Sequence, residues 1–229
     1  MTPSPANNAP RLDARLSAAA AFVRRGGTAA DIGCDHGKLA AFLAVNGICK
    51  KVIASDLRPA PLSHARALAE QYACTDRIHF RLGDGLSILR PGEADDIIIG
   101  GLSGVTIAQL LERAPQSLLT GTPAARLILT PASKHAHLRR FLCENGFSLL
   151  AETPCLAAGR WYTVMHAVHT GHPFTPDAFF CASGLCAQTP GAAGYLRHAA
   201  GCLEKEALGT PDASLRALAD RLRSAADAL

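Results

Sequence analysis

Along the chain, short unbroken apolar runs alternate with stretches in which apolar positions recur every three or four residues. Residues 11–27, RLDARLSAAAAFVRRGG, put Leu12, Leu16, Ala19 and Val23 on one helical face and stop at Gly26-Gly27. TAADI (28–32) is a short run suited to a buried strand. KLAAFLAVNG (38–47) reads as a helix closed by Asn46-Gly47, and KVIASD (51–56) as a second strand. A helix over 59–74 follows, whose first turn tolerates Pro59 or Pro61. RIHFRLGDG (77–85) is a third strand and its turn. DDIIIGG (95–101) is a fourth, with Ile97, Ile98 and Ile99 in the continuous apolar run of a strand covered on both faces. A helix over 103–114, a strand over 124–131 and a helix over 133–146 extend the alternation. Residues 147–156 and 159–171 then follow each other with no helix between, as an antiparallel pair closing the sheet.

Strands that alternate with helices form a doubly wound parallel sheet. A sheet that ends strand–turn–strand has the plan of class I methyltransferases. The expected fold is therefore α/β, a Rossmann-like class I methyltransferase sheet, mostly parallel with its last strand antiparallel. From residue 172 the pattern changes. QTPGAAG (188–194) and LGTPDA (208–213) are breaks, and helices over 194–208 and 214–229 make a C-terminal helical hairpin. Leu215, Leu218, Leu222, Ala225, Ala226 and Leu229 form one apolar stripe. The hairpin serves either as a packing or dimer element or as a partner-binding module. The expected division is a disordered leader over 1–10, a cofactor-binding catalytic domain over 11–171 and a helical domain over 172–229.

Composition narrows the classes. With 48% hydrophobic and 18% charged residues, the chain has material for a core and is not a disordered polyelectrolyte. A formal charge of +4 permits a polyanionic partner without requiring one. No apolar run approaches the ~18 residues of a membrane span, so no membrane partner is expected. The eight cysteines form no CxxC pair, and no His or Cys cluster has metal-ligand spacing. Reduced thiols, a cytoplasmic location and no metal are expected.

The candidate chemistry begins at DIGCDHG (31–37), directly after the first strand. Glycines there let the backbone approach a ligand, and the next helix opens toward it. Carboxylates at Asp31 and Asp35 repel the pyrophosphate of a dinucleotide. They suit a ligand with an ammonium and a sulfonium, which is S-adenosylmethionine. Asp56 closes the second strand, where an acid accepts ribose hydroxyls. Gly83-Asp84-Gly85 follows the third strand, where an acid accepts the adenine amine, and Gly100-Gly101 ends the fourth at the crevice edge. The candidate cofactor residues are Asp31, Gly33, Cys34, Asp35, His36, Gly37, Asp56, Leu57, Gly83, Asp84, Gly85, Gly100 and Gly101. Asp31, Gly101, Leu102 and Ser103 are the catalytic candidates. His36 either caps its helix or contacts a ligand. His64, His135, His137 and His198 read as solvated helix residues.

DIGCDHGKLA, ASDLRPAPLSHARA, RLGDGL, DDIIIGGLSG, RLILTPA, LRRFLCENGFSLL and the helical tail together resemble the bacterial TrmK family, tRNA methyltransferases that modify N1 of adenine 22. The resemblance runs from about residue 11 to the C-terminus. It implies S-adenosylmethionine as cofactor, tRNA as partner and a helical domain that helps hold it. It also implies that residues 31–37 meet the methionine side, Asp56 the ribose, Asp84 the adenine and Gly101–Gly104 the substrate. Three positions depart from the family pattern. Gly-Met-Gly-Gly is Gly101-Leu102-Ser103-Gly104, Gln-Pro-Asn is Thr130-Pro131-Ala132, and an aromatic residue in the first turn is Lys38. All three fall where the target base is expected. Other readings are methyl transfer to another RNA position or a small molecule, and a cofactor- and RNA-binding protein without catalysis. Arg11, Arg15, Arg24, Arg25, Arg139 and Arg140 are candidates for RNA phosphates, or else solvated helix faces.

Overall fold

A computed structural model describes residues 9–121, 124–209 and 212–229. Most of the expected leader, and the Thr210-Pro211 break between the last two helices, lie outside them.

Helix α1 (Ala14–Phe22) is shorter than the apolar stripe suggests. Its N-terminus is capped by Asp13, whose carboxylate accepts from the Leu16 amide at 2.8 Å. The chain then alternates through β1 (Thr28–Ile32), α2 (Lys38–Val45), β2 (Lys51–Asp56), α3 (Pro59–Gln71) and β3 (Ile78–Leu82). Next come β4 (Asp96–Gly100), α4 (Gly104–Glu112), the short α5 (Gln116–Leu119), β5 (Arg126–Thr130) and α6 (His135–Glu144). A long hairpin of β6 (Phe147–Ala157) and β7 (Arg160–His169) ends the sheet. It reverses through Ala158 and Gly159, both with positive φ, as the right-handed twist of a two-residue hairpin demands. Three helices follow: α7 (Ala178–Ser183), α8 (Ala193–Gly209) and α9 (Ala213–Asp227).

The seven strands lie in the order β3-β2-β1-β4-β5-β7-β6. The first five are parallel neighbours, and β7 runs against both β5 and β6. This is the sheet anticipated from the alternation and the two unbroken final strands. Chain direction across the sheet reverses between β1 and β4, which opens a crevice at their carboxyl ends.

The sheet separates two apolar layers. One packs α1, α2 and α3 through Ala19, Leu39, Leu43, Leu62 and Ala65. The other packs α4, α5 and α6 through Ile107, Leu111, Leu118, Leu138 and Leu142. Ile97, Ile98 and Ile99 of β4 are buried, alternating between the two layers, which is why that strand has no polar face. A third cluster joins α8 to α9 through Leu196, Ala200, Ala219 and Leu222.

Candidate active site

The turn after β1 is built from alternating left-handed residues. Gly33, Asp35 and Gly37 have φ of 72°, 50° and 67°. Asp tolerates that region better than most residues, because its short side chain bonds locally. At Gly37 the reason for glycine is also steric: a Cβ would stand 2.6 Å from that of Ala65 on α3. The Cys34 amide donates to the Ser55 carbonyl at 2.8 Å, which ties the turn to β2. The Asp35 amide donates to Asp56 at 3.3 Å, and the Arg58 amide donates to the other Asp56 oxygen at 2.9 Å. Asp56 is thereby held in place by backbone on both sides.

Above this turn lies a cavity of about 600 Å³. Its wall includes Asp31, Gly33, Cys34, Asp35 and His36 from the first turn, Asp56 and Leu57 from the second, and Gly83, Asp84 and Gly85 from the third. Gly100, Gly101 and Leu102 join them from the end of β4. Of the candidate cofactor and catalytic residues, two do not line it. Gly37 packs against α3, and Ser103 caps α4, its hydroxyl accepting from the Thr106 amide at 3.1 Å.

Asp31 is 6% exposed, and burial raises its pKa to about 7; the Ala40 backbone and the Arg15 charge pull it down, while Asp35 and Asp56 add to the rise. Burial also raises the Cys34 thiol far above its usual range, so Cys34 contributes wall and no nucleophile. His36 stacks on His64 with ring centroids 5.1 Å apart at the exposed lip. Asp84 and Leu57 are exposed at the mouth.

The loops after β4 and β5 act as one wall. Gly101 donates to the Thr130 carbonyl at 3.2 Å, Ala132 to Leu102 at 2.8 Å and Gly104 to Ser133 at 2.8 Å. Both segments are expected on the acceptor side, and the structure joins them by extending the β4–β5 ladder. Thr130 lines the cavity, is 3% exposed and has a hydroxyl with no hydrogen-bond partner among the described residues.

Several expectations about charged residues need correction. Arg139 does not reach solvent. It is 0% exposed and bonds Glu152, Tyr195 and the Cys181 and Ala182 carbonyls. Arg24 pairs with Asp96 at the opposite end of the sheet, where Arg126 also holds that carboxylate at 2.7 Å. His135 is not a solvated helix residue. It is half-buried, its Nε2 lies 3.2 Å from the Pro131 carbonyl, and burial lowers its pKa to about 4. Arg15 turns into the cavity with Asp13, Leu16 and Ala19, a contribution from α1 that no local motif announces. Its only sequence signal is its position beside the Leu16–Ala19 stripe.

Residues 12–165 match the family described as Methyltransferase domain. The chain is 34% identical over 175 residues to the tRNA (adenine(22)-N(1))-methyltransferase of Bacillus subtilis strain 168, covering 76% of this chain and 72% of that protein. It superposes on the crystal structure of the B. subtilis m1A22 tRNA methyltransferase TrmK with a TM-score of 0.77 at 26% identity, covering 95% of this chain and 98% of the other. It superposes on Streptococcus pneumoniae Sp1610 in complex with S-adenosyl-L-methionine with a TM-score of 0.78 at 26% identity, over 95% and 98% of the two chains.

Proposed function

The chain belongs to the family of the bacterial tRNA (adenine(22)-N(1))-methyltransferases, and from that membership we propose that it transfers a methyl group from S-adenosylmethionine to N1 of adenine 22 in tRNA. The observation that carries this reading is the cavity at the β1–β4 crevice, with an acid at the carboxyl end of β1 and of β2 and another in the turn after β3. A volume of about 600 Å³ lies in the ~300–1,000 Å³ range of cofactor sites. Its carboxylates match a ligand that carries positive charge at one end and ribose hydroxyls in the middle.

Asp56 accepts the ribose hydroxyls, which its two backbone donors leave room for. Asp84, exposed at the mouth, accepts the adenine amine. Asp31 and Asp35 offset the positive methionine end, held there by the left-handed turn. When bound, S-adenosylmethionine supplies a methyl group activated by its sulfonium. Adenine N1 already has a lone pair, so the chain needs no strong general base. Its work is alignment and exclusion of water. The joined loops over 101–104 and 130–132 receive the base, which must leave its stack because N1 lies on the Watson–Crick edge. Buried Asp31 is placed to offset the positive charge that the methylated base acquires.

The division of labour falls near residue 171: residues 11–171 bind the cofactor, and the helices after them hold RNA. Among the described residues no helix is long and apolar enough to cross a membrane, and all eight cysteines are free thiols. The free thiols fit an enzyme that meets tRNA in the reducing cytoplasm.

Methyl incorporation from labelled S-adenosylmethionine into unmodified bacterial tRNA, followed by nucleoside analysis, tests this. N1-methyladenosine mapped to position 22 is the expected product. Label in another nucleoside would assign the changed residues Lys38, Leu102, Ser103, Thr130 and Ala132 to a different specificity. Cofactor binding with no label in RNA would overturn the tRNA reading.

A further inference from the structure

Helix α6 opens without a capping side chain. Lys134, the residue before it, is left-handed with φ of 58° and offers no side-chain hydrogen bond. The next residue, His135, folds back over the turn that precedes the helix, and its Nε2 lies 3.2 Å from the Pro131 carbonyl. That turn belongs to the acceptor wall. The Thr130 carbonyl accepts from the Gly101 amide and the Ala132 amide donates to Leu102, so both its ends are tied to the loop after β4. Pro131 between them has no N–H, so its carbonyl is the one polar group by which its backbone can be held, and His135 takes it. Ala132 brings no side-chain hydrogen bond to the turn, whose conformation therefore depends on such partners. The His135 ring also meets the Tyr195 ring of α8 edge to face, with centroids 6.3 Å apart. Tyr195 is itself fixed, its hydroxyl accepting from Arg139 at 2.7 Å. One imidazole thus touches both the acceptor wall and the C-terminal helices.

A carbonyl oxygen only accepts, so the ring nitrogen that faces it carries the hydrogen. Burial and the Arg139 charge lower the pKa of the ring to about 4. The Pro131 carbonyl and Glu152 of β6 pull the other way, and His198 of α8 adds to the fall. The ring is therefore a neutral Nε2–H donor at neutral pH. His135 does not itself line the cavity, so it acts through the backbone of the turn. We propose that His135 is a positioning residue for methyl transfer: its Nε2–H anchors the Pro131 carbonyl, and the anchored turn over 130–132 holds the acceptor base in line with the methyl group. The proposal rests on the tRNA methyltransferase reading and names a residue that no motif of that reading includes.

The test is single-turnover methyl transfer by the full chain at saturating S-adenosylmethionine, over a range of unmodified tRNA concentrations. Two variants separate the donor from the ring. His135→Phe keeps an aromatic ring against Tyr195 and removes the N–H; His135→Gln keeps an N–H near the position of Nε2 and removes the ring. His135→Phe is expected to lower the maximal rate roughly 3- to 10-fold, the range of one lost hydrogen bond, while half-saturation by tRNA and the cofactor dissociation constant stay within about twofold. His135→Gln should recover most of that rate. Equal slowing in the two variants would make the ring's packing the cause and overturn the proposal. A wild-type rate in His135→Phe would overturn it too, as would a loss of cofactor affinity that matches the loss of rate. Nitrogen NMR of the ring, which needs no tRNA, should show the neutral Nε2–H tautomer from about pH 5.5 to 8; the Nδ1–H tautomer would remove the anchor. A wild type with the expected tautomer that transfers no methyl to tRNA would bring down the tRNA reading, and this role in it. An active wild type with indifferent variants would bring down the proposal alone.

Discussion

Asp31 shows how one side chain carries chemistry that its neighbours in sequence do not reveal. Its place at the end of an apolar strand was legible; its depth was not, because depth comes from α1 and α2 closing over it. With the folded pKa near 7 and an unfolded value near 3.9, the folded chain binds the extra proton between those values. This group alone therefore makes the fold less stable as pH rises from about 4 to 7. Cofactor binding has the opposite sign. A cationic ligand favours the carboxylate, so affinity for S-adenosylmethionine should rise up to tenfold per pH unit below about 7. It should level off above that, then fall near pH 8 as the ligand's amino group loses its proton. Titrations between pH 5.5 and 8.5 would measure this, and Asp31→Asn should bind more weakly, without the acidic limb. Arg139 teaches the same point from the other direction: on a helix rich in charge it resembled a solvated residue, and only its partners on β6 and α8 make it a core residue.

Among elements, the decisive contact is between the start of α4 and the loop before α6. Gly104 opens α4 where the backbone of Lys134 passes. A Cβ there would overlap the Lys134 carbonyl oxygen and stand 3.1 Å from the Leu138 Cβ. Lys134 itself has φ of 58°, so that loop has little freedom to retreat. Gly104→Ala should cost about 1–3 kcal/mol, as other overpacked sites do. It should also lower the rate with tRNA while leaving the cofactor dissociation constant within about twofold, because the Asp31–Gly37 turn lies on the other side of the crevice. A denaturant melt and a single-turnover assay would separate the two effects. The repeat of Gly after β4 was visible in sequence. Its use as a point of backbone contact was not, since Lys134 is thirty residues away.

At the scale of the molecule, the sheet and the C-terminal helices are joined by one buried network. Glu152 on β6 accepts from Arg139 at 2.7 Å, from Thr163 at 2.6 Å and from the Leu185 amide at 3.0 Å. Arg139 in turn donates to the Tyr195 hydroxyl on α8 at 2.7 Å. Such a pair contributes little net stability against apolar residues, but removing one partner leaves a buried charge. Arg139→Met should therefore cost about 3–5 kcal/mol in urea unfolding. Under conditions where the variant stays folded, tRNA affinity should fall more than cofactor affinity. Tyr195 is 3% exposed and the Arg139 charge sits between helix and sheet, so the network ties α8 to β6 and α6. Equal losses for both ligands would mean that the network serves the sheet alone.

The order of strands and helices, the reversal at the end of the sheet and the acids at the carboxyl ends of β1, β2 and β3 were determined by sequence alone. Each depends on spacing within ten or so residues: continuous apolar runs, helical stripes, and glycines where a strand must turn. The fates of Arg15, Arg139, His135, Thr130 and Gly104 were decided only by tertiary structure. Each depends on a partner from a distant part of the chain, and an arginine on a helix carries no local mark of whether it will face water, a buried glutamate or a cavity. Charge, burial and close backbone approach are properties of packed pairs, and packing brings those pairs together.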